Sequence, residues 1–337
     1  MSTKNNCLWL ALVRAAAVCA CFAAAASFVA PAAAQQGWTA ARRGAAGKDL
    51  NTVFFAGSKR GWIGGDGGQV VRTQDGGRSW VSQVIEAGAG VNDIYFRDDE
   101  DGYLLAGNAI HTTADGGGTW RESRAFAPAD FGGATPELYS VRFTGKKRGW
   151  VVGSVSRGDN VVDSLLLRTE DGGGTWQRQN VPVRVELIHL DFDGDKRGWI
   201  VGDRGTILHT ADGGETWAAQ KAGTSATLYH VEFANKEDGW AVGERATVLR
   251  TNDGGATWIA ADVSALVGRT TLLSVAFAGR EEGWIVGRGG TILRSSDGGR
   301  TWVRQESGTK QHLYALVVGK GRAWAVGGGG TVLEYER

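Results

Sequence analysis

The sequence predicts an all-β protein, a seven-bladed β-propeller with four-stranded antiparallel blades. A unit of about forty residues recurs seven times, and this is the length of one four-stranded blade. Each unit contains short strand-like pieces separated by glycine-rich turns. Each also carries an aromatic residue directly after Gly or Ala. One such sheet cannot bury both of its faces alone, so the units are expected to stack into a ring.

The sixth unit, residues 272–305, shows the pattern most clearly. Its four strands, named A to D from the inside of the ring outwards, are predicted at 272–277, 284–286, 291–294 and 301–305. Aligned on this unit, the seven A strands begin at Leu50, Val91, Leu138, Leu187, Leu228, Leu272 and Leu313. The aromatic residues of strand B follow at Trp62, Tyr103, Trp150, Trp199, Trp240, Trp284 and Trp324.

Six units continue into an Asp-Gly-Gly-x-Ser/Thr-Trp sequence, which we call the Asp-Gly-Gly turn. Its aspartates are Asp75, Asp115, Asp171, Asp212, Asp253 and Asp297. In a tight hairpin the carboxylate can accept backbone N–H groups, the glycines allow positive φ, and the tryptophan packs between sheets. Six equivalent copies around a ring cannot all be catalytic, so we interpret these turns as structural.

The seventh unit stops at residues 334–337, where its turn and fourth strand should come. At the other end, Gly37 and Trp38 stand alone before the first unit. We therefore predict that an N-terminal strand containing Trp38 completes the last blade. Closing the ring in this way protects strand edges that would otherwise promote aggregation.

Residues 1–34 have the composition of a secretory signal peptide. Lys4 and Arg14 precede an alanine-rich apolar run, and small residues offer a cleavage site after Ala34. The prediction is a cleaved leader followed by a propeller at 35–337, located in the periplasm or secreted. An uncleaved membrane anchor is the alternative, but the run is short for a membrane span.

Cysteine content and charge restrict the classes of partner. All three cysteines lie in the leader, so the exported chain is expected to have no disulfide and no cysteine-ligated metal. Without the leader, 35 basic and 36 acidic side chains remain, a net charge of −1. This balance disfavours nucleic acid and an anionic membrane surface as partners. Direct membrane insertion is not predicted either. No metal or cofactor motif occurs in a suitable context, so no cofactor is predicted.

Strand parity assigns every loop to one of two faces. The A-to-B and C-to-D turns lie on one side, the turn face; the B-to-C turns and D-to-A crossings lie on the other, the crossing face. Two insertions break the period, at 121–137 between blades 2 and 3 and at 154–164 in blade 3. Parity predicts that both lie on the crossing face, and long loops gathered on a rigid scaffold often carry function.

The joint pattern resembles a known family over the whole exported chain. The Asp-Gly-Gly turn alone is similar to the Asp box of sialidases and related glycosidases. Combined with Gly-Trp-x-Val-Gly in nearly every unit, it resembles the photosystem II assembly and stability factors of cyanobacteria and chloroplasts and their bacterial relatives. This resemblance implies a non-enzymatic propeller that binds newly made membrane-protein subunits through an arginine-rich patch, with a photosystem or another complex as client.

Eight residues are predicted to bind the partner, which we expect to be the exposed loops of a membrane-protein complex contacted by a monomeric propeller. They lie in four consecutive B-to-C loops or in the first insertion: Arg157, Arg204, Arg245 and Arg288, with Arg121, Arg124, Phe126 and Phe131. The alternative is that the arginines are solvated and partly neutralised by Asp203 and Glu244. Arginine and aromatic side chains are both enriched at interfaces.

A glycosidase or glycan-binding propeller is the rival hypothesis, because glycosidases need two carboxyl groups. The best candidate cluster comprises His189, Asp191, His230 and Glu232, on the A strands of blades 4 and 5. The equivalent positions hold Thr52, Asp93, Ser140 and Ser274 elsewhere, so a polar site in every blade is the simpler account, and Arg142 is expected to pair with Asp191. We predict no catalytic residues and no metal site.

Two further sets of charged residues belong to the turn face. One is a ring at the end of strand C, interpreted as structural: Arg72, His111, Arg168, His209, Arg250, Arg294 and Glu334. The other is a fallback binding patch formed by Arg60, Arg148 and Arg197 in the A-to-B turns.

Overall fold

Seven four-stranded antiparallel sheets form the fold in a computed structural model that describes residues 37–41, 47–86, 88–319 and 321–336. These residues belong to one structural unit, Gln36–Arg337. The predicted signal peptide lies outside the described residues and stays a prediction. The predicted seven-bladed propeller is confirmed.

The strand bounds follow the predicted repeats. The first strand is β1 (Trp38–Ala40). Blade 1 contains β2 (Leu50–Ala56), β3 (Arg60–Gly65), β4 (Gln69–Thr73) and β5 (Val81–Val84). Blade 2 contains β6 (Val91–Phe96), β7 (Asp101–Ala106), β8 (Ala109–Ala114) and β9 (Arg121–Ala125). Blade 3 contains β10 (Thr135–Thr144), β11 (Arg148–Arg157), β12 (Asn160–Thr169) and β13 (Gln177–Arg178).

The remaining blades repeat the same order. Blade 4 contains β14 (Leu187–Asp193), β15 (Arg197–Gly202), β16 (Thr206–Thr210) and β17 (Ala218–Gln220). Blade 5 contains β18 (Leu228–Phe233), β19 (Gly239–Gly243), β20 (Val248–Thr251) and β21 (Ile259–Ala260). Blade 6 contains β22 (Leu272–Ala278), β23 (Glu282–Gly287), β24 (Thr291–Ser295) and β25 (Val303–Gln305), and blade 7 contains β26 (Leu313–Gly319), β27 (Arg322–Gly327) and β28 (Thr331–Glu336).

Helices contribute little to the part of the chain that the structure describes. One short α-helix, α1 (Ser264–Val267), lies in the crossing from blade 5 to blade 6. Several B-to-C turns are three-residue turns with a left-handed middle residue, such as Asp203–Gly205. Among these residues no helix has the length and apolar composition needed to span a membrane.

The N-terminal strand closes the ring, as predicted. Strand β1 pairs with β28 in antiparallel register, with Trp38 opposite Tyr335. The Trp38 indole N–H donates to Gln305 Oε1 of blade 6 at 3.1 Å. Because β1 supplies the fourth strand of blade 7, residues at opposite ends of the chain hold the same sheet together.

Aromatic stacking joins most blades to the next; the exception is the junction of blades 6 and 7, where Val318 takes the place of the phenylalanine. The strand-B tryptophan of one blade stacks on the phenylalanine at the end of strand A in the following blade, as in the Trp240–Phe277 pair at 3.5 Å between centroids. The tryptophan of the Asp-Gly-Gly turn packs edge-on against that phenylalanine, with Trp302 at 5.9 Å. The strand-B indole also donates to the next turn, from Trp240 to Gly298 O at 3.1 Å. These contacts bury the repeated aromatic residues.

The glycines beside the strand-B tryptophans are required by close approach. A Cβ on Gly198 would lie 2.6 Å from the Phe192 ring. Phe192 of blade 4 pairs with Gly198, whereas the equivalent residues of blade 7 are Val318 and Ala323. A smaller residue on strand A therefore accompanies a larger one on strand B.

The Asp-Gly-Gly turns are closed hydrogen-bonded units, which supports their structural interpretation. In blade 4, Asp212 Oδ1 accepts the Thr216 N–H at 3.0 Å and Oδ2 accepts its hydroxyl at 2.6 Å. The Thr210 hydroxyl in turn accepts the Gly214 N–H at 2.8 Å. The Thr216 side chain and backbone are the main causes that lower the pKa of Asp212 to about 2.

The two insertions mostly lengthen strands, whereas long loops were predicted. Residues 121–125 form β9, the outer strand of blade 2. The second insertion extends β11 and β12 into a long hairpin whose turn lies between Arg157 and Asn160. Blade 3 is therefore taller than its neighbours on the crossing face.

Candidate functional site

The B-to-C turns of blades 4, 5 and 6 each present an exposed arginine on the crossing face. Arg204 and Arg245 have left-handed backbone conformations, with φ of 56° and 55°. The equivalent position is a glycine in blades 1, 6 and 7, namely Gly67, Gly289 and Gly329. Two arginines thus occupy a position whose backbone conformation favours glycine, and such strain is often found at functional sites.

Arg288 differs from the other two by one position in its turn. It takes the place that Asp203 and Glu244 hold in blades 4 and 5, and so has no acidic neighbour within its own turn. Arg204 lies 3.5 Å from Asp203, and Arg245 lies 4.0 Å from Glu244. These are exposed pairs, which contribute little energy.

The D-to-A crossings bring further cations to these turns, and the sequence prediction missed them. The Ala246 N–H donates to Thr270 O at 2.7 Å, which brings Arg269 of the crossing close to the turn of Arg245. The Gly289 N–H donates to His312 Nδ1 at 3.1 Å, close in sequence to Lys310. We define the basic rim as seven exposed cations of blades 3 to 6: Arg184, Arg204, Lys221, Arg245, Arg269, Arg288 and Lys310.

The predicted parity rule already contained the signal for these missed residues. It assigns crossings and B-to-C turns to the same face, yet the prediction considered cations of the regular turns and left out those of the short crossings. Among the described residues, Arg184, Lys221, Arg269 and Lys310 form no ion pair.

The blade 2 to 3 crossing is packed down, which contradicts the prediction for Phe126. This side chain is only 4% exposed and belongs to the core between blades 2 and 3. Phe131 is partly buried against the same core, 6.5 Å from Phe126 between centroids. Arg178 lies over the Phe131 ring at 5.5 Å. The two aromatic side chains anchor the crossing, because their rings have apolar contacts within the chain.

Arg121 is not on the crossing face, so its predicted place is wrong. Arg121 lies on the outer strand β9 and pairs with Thr112 of β8. Its side chain lines a cavity together with Asp115 and Thr119 of the Asp-Gly-Gly turn. The physical reason is that residues 121–125 run as a strand from one face to the other, whereas a loop was predicted there.

Arg124 and Arg157 lie nearer the crossing face. Arg124 is 3.8 Å from Asp130 and lies over the Phe126 ring at 5.1 Å. Arg157, at the end of β11, is exposed and donates to Gly132 O at 3.1 Å. Arg124 therefore connects the outer strand β9 with the crossing, and Arg157 connects the tall hairpin with it.

The turn-face arginines are paired with carboxylates, which weakens the fallback patch. Arg197 lies 2.9 Å from Asp193 within its own blade. Two others reach the next blade: Arg60 lies 3.7 Å from Asp99, and Arg148 lies 3.5 Å from Asp195.

The predicted ring at the end of strand C is misaligned in blade 2. Tyr103 pairs with Thr112, as Trp150 pairs with Arg168 in blade 3, so Thr112 and not His111 belongs to the ring. His111 is instead 2% exposed in the core. The B-to-C turn of blade 2 is shorter, and this shifts strand C by one residue.

The His/Asp/Glu cluster lies in the central channel and connects neighbouring A strands. The His189 and His230 rings stack at 3.8 Å. Asp191 Oδ2 accepts the Phe233 N–H at 2.8 Å, and Glu232 Oε1 accepts the Phe277 N–H at 3.0 Å. Each carboxyl group thus bonds the backbone of the following blade, a structural role that was not predicted from the sequence.

Arg142 pairs with Asp93 and not with Asp191, contrary to the expected contact. The Arg142 Nη1 to Asp93 Oδ2 distance is 2.8 Å, and Nη2 lies 3.0 Å from His189 Nε2. Burial raises the pKa of Asp191 to about 6 and that of Glu232 to about 8. Burial also lowers the pKa of His230 to about 3. Over the described residues, no group of three such side chains could hold a metal ion.

The channel mouth on the crossing face is lined by tyrosines bonded to carboxylates. Tyr139, Tyr229 and Tyr314 line the channel. Their hydroxyl groups bond with Glu137 at 3.1 Å, Glu244 at 3.4 Å and Asp49 at 2.8 Å, respectively. The crossing face therefore combines an acidic, aromatic mouth with a basic rim.

Known structures share this architecture at low sequence identity. One described as YCF48 bound to D1 peptide is 19% identical, with a TM-score of 0.71 over 89% of this chain and 97% of that chain. YCF48 from Cyanidioschyzon merolae is 20% identical, with the same score over 89% of this chain and 99% of that chain. A virginiamycin B lyase from Staphylococcus aureus is 14% identical, again at 0.71, over 89% and 99%. These likenesses show the fold.

Sequence comparison adds the family. The photosystem II assembly lipoprotein Ycf48 of Synechococcus sp. (strain CC9902) is 30% identical over 100 residues, which are 29% of this chain and 26% of that protein. The match thus spans about a quarter of the relative's length. The family model described as photosynthesis system II assembly factor YCF48 matches residues 84–179, 133–221 and 217–312. Because these matches extend over more than half of the sequence, the chain belongs to the YCF48 family of photosynthesis system II assembly factors.

Proposed function

We propose that this chain is an exported, non-enzymatic scaffold that binds exposed loops of a membrane-protein complex through the crossing face. The observation that carries the proposal is the basic rim, seven exposed cations on one side of four consecutive blades. Family membership supports an assembly role, and one related structure is described as bound to a D1 peptide. The relative from Synechococcus is described as a lipoprotein, which agrees with export.

The chemistry of the rim favours an acidic or polar protein segment as its ligand. Arginine binds carboxylates with two parallel hydrogen bonds and also stacks on flat groups. The left-handed backbone at Arg204 and Arg245 keeps their side chains on exposed turn tips, where a partner can reach them. A rigid ring of blades holds these tips at constant separation, so little ordering entropy is lost on binding.

A glycosidase function has less support than a scaffold. The two carboxyl groups best placed for catalysis, Asp191 and Glu232, each accept a backbone N–H of the next blade. Their positions therefore have a structural explanation in the ring. The lyase likeness concerns the fold alone.

Charge reversal on the rim tests the proposal. The variant Arg245→Glu/Arg269→Glu/Arg288→Glu should lose at least tenfold in affinity for the partner, and the wild-type affinity should fall steeply with added salt. The partner is first identified by crosslinking in membranes of the native host, and its soluble loop is then titrated by calorimetry.

A matched control carries the same charge change on the turn face. Lys59→Glu/Lys147→Glu/Lys196→Glu alters three exposed lysines of the A-to-B turns and should bind like the wild type. Equal losses in both variants would show that only net charge matters and would contradict the rim as the binding surface.

Light scattering of the processed protein should give the mass of one chain, and its N-terminus should be Gln35.

A further inference from the structure

The central channel is divided into a polar half and an apolar half. It has a volume of about 570 Å³ and is lined by the A strands. Blades 6, 7 and 1 contribute mainly apolar side chains, including Ala276, Val317 and Phe54. The acidic and basic side chains come from blades 2 to 5: Asp93, Arg142, His189, Asp191, His230 and Glu232. A channel with such a wall can hold a ligand that is apolar along one side and charged at one end.

The polar half contains more carboxyl groups than cations. Arg142 forms an ion pair with Asp93, with 2.8 Å between Nη1 and Oδ2. In the described part of the chain, Asp191 and Glu232 form no ion pair, and the bond from Phe277 leaves Oε2 of Glu232 free. Both groups are half-buried in the channel, and a carboxyl group partly removed from water is costly to ionise unless a counter-charge is close. Arg142 also lowers the pKa of Asp191 and of Glu232 through its charge, so three carboxyl groups share one cation.

Among the described residues that line the channel, Arg142 is the one permanently charged cation. The stacked rings of His189 and His230 are close to the Arg142 guanidinium, and burial keeps the pKa of both histidines low, so both are neutral near pH 7. Tyr95 faces Arg142 and donates its hydroxyl to Phe143 O. Burial raises the pKa of Glu232 to about 8, and the Phe277 N–H and the charge of Arg142 offset only part of this rise.

The channel mouth is suited to the entry of an organic cation. Tyr139, Tyr229 and Tyr314 line the channel near its entrance, and their rings can attract an ammonium group. The carboxylates bonded to these tyrosines add negative potential at the same place. The basic rim belongs to the turns and crossings around this mouth and is a separate feature.

We infer that the central channel binds a small organic ammonium ion, which enters past the three tyrosines and lies against Asp191 and Glu232. The same chemistry is carried by a free diamine and by the lysine side chain of a protein. As the ammonium group binds, Glu232 ionises and releases its proton to solvent, so that the ligand's charge is balanced by the new carboxylate. This inference goes beyond the proposed scaffold function and does not depend on the rim.

Calorimetry with 1,4-diaminobutane tests the inference on the processed wild-type protein. Titration at pH 7 in two buffers of different ionisation enthalpy should show binding with release of up to about one proton per ligand. At pH 5 the affinity should fall at least tenfold, because both carboxyl groups must then lose a proton. Neutral 1,4-butanediol should not bind. Absence of binding by both the diamine and a lysine peptide would overturn the inference.

Isosteric variants locate the site. Asp191→Asn/Glu232→Gln keeps an oxygen for the Phe233 and Phe277 N–H groups and should lose at least tenfold in affinity together with the proton release. The control Glu86→Gln/Glu306→Gln removes two exposed carboxyl groups and should bind like the wild type. Equal binding by the channel variant and the wild type would contradict the site. Should the channel variant fail to fold, the wild-type pH dependence and the butanediol comparison still decide.

A peptide arm distinguishes the two sources of the ammonium group. An acetylated Gly-Lys-Gly amide is compared with the same peptide carrying acetyl-lysine. Binding of the lysine peptide alone, without the diamine, supports a protein side chain as the natural ligand. Binding of the acetyl-lysine peptide with equal affinity would show that charge is not recognised and would contradict the inference.

Discussion

The two faces of the propeller use the same residue types in opposite ways. On the turn face, aspartates close hydrogen-bonded turns, and arginines such as Arg148 and Arg197 pair with carboxylates. On the crossing face, Arg269 and Lys310 have no ion pair in the described part of the chain, and Arg204 and Arg245 stand in backbone conformations that favour glycine. Arginine content alone therefore does not distinguish the two faces; unpaired cations and a strained backbone do, and the proposed binding surface rests on these features.

The largest effect is expected where the turn face is joined to the next blade. Trp240→Ala removes the stacking on Phe277 and the hydrogen bond to Gly298 O, and should destabilise the protein by about 3–5 kcal/mol. Denaturant unfolding measures this loss. Arg269→Ala on the crossing face should change the stability by less than about 0.5 kcal/mol. Similar losses in the two variants would contradict the division between a structural and a binding face.

The channel wall between the faces should give a pH-dependent difference. The pKa of Glu232 is raised to about 8 in the folded state, from 4.5 in the unfolded state. The stability that its protonated form contributes is thus complete below pH 4.5 and is lost as pH rises through 8.

Glu232→Gln removes this loss and should gain on the order of 2 kcal/mol over the wild type between pH 4.5 and pH 8. Chemical unfolding at several pH values measures the difference. Exposed Glu306→Gln is the matched control and should show no such trend. A constant difference across this range would indicate that Glu232 is ionised in the folded protein.

Removing the aspartate of a single Asp-Gly-Gly turn should have a moderate effect on stability. Asp212→Ala loses the hydrogen bonds from Thr216 and Thr210 and should cost about 1–2 kcal/mol at neutral pH. The folded pKa of Asp212 is lowered to about 2, so its contribution is present above pH 3.8 and is lost as pH falls through 2. The difference from the wild type should therefore shrink in acid, as measured by thermal unfolding. A pH-independent difference would mean that Asp212 does not stabilise the turn through its ionised carboxylate.

The smallest effect should have the opposite sign. Arg204→Gly relieves a left-handed backbone and should stabilise the protein by about 0.5–1 kcal/mol, because blades 1, 6 and 7 already have glycine there. The same change should weaken partner binding. Arg204→Ala is the control, since it removes the side chain and keeps the strain. Destabilisation by the glycine variant would mean that the turn is held by the Arg204 side chain itself.

Local patterns in the sequence were enough to predict the fold. The repeat length, the Asp-Gly-Gly turns and the Gly-aromatic steps depend on turn geometry and strand alternation, which act between near neighbours. Even the closure by Trp38 followed from a missing strand at one end and an extra one at the other. Each blade contacts mainly its neighbours, so the order of units along the chain largely determines their order in space.

The candidate site depended on distances that no local pattern contains. The burial of Phe126, the register shift at His111 and the passage of Arg121 to the turn face all follow from strand pairing in blade 2. Which carboxylate pairs with Arg142 likewise depends on the arrangement of neighbouring blades, and the partner is Asp93. The sequence by itself therefore determined the seven-bladed ring and its locked turns. Only the tertiary structure decided which charges remain without partners, because pairing depends on contacts between blades that are distant in sequence.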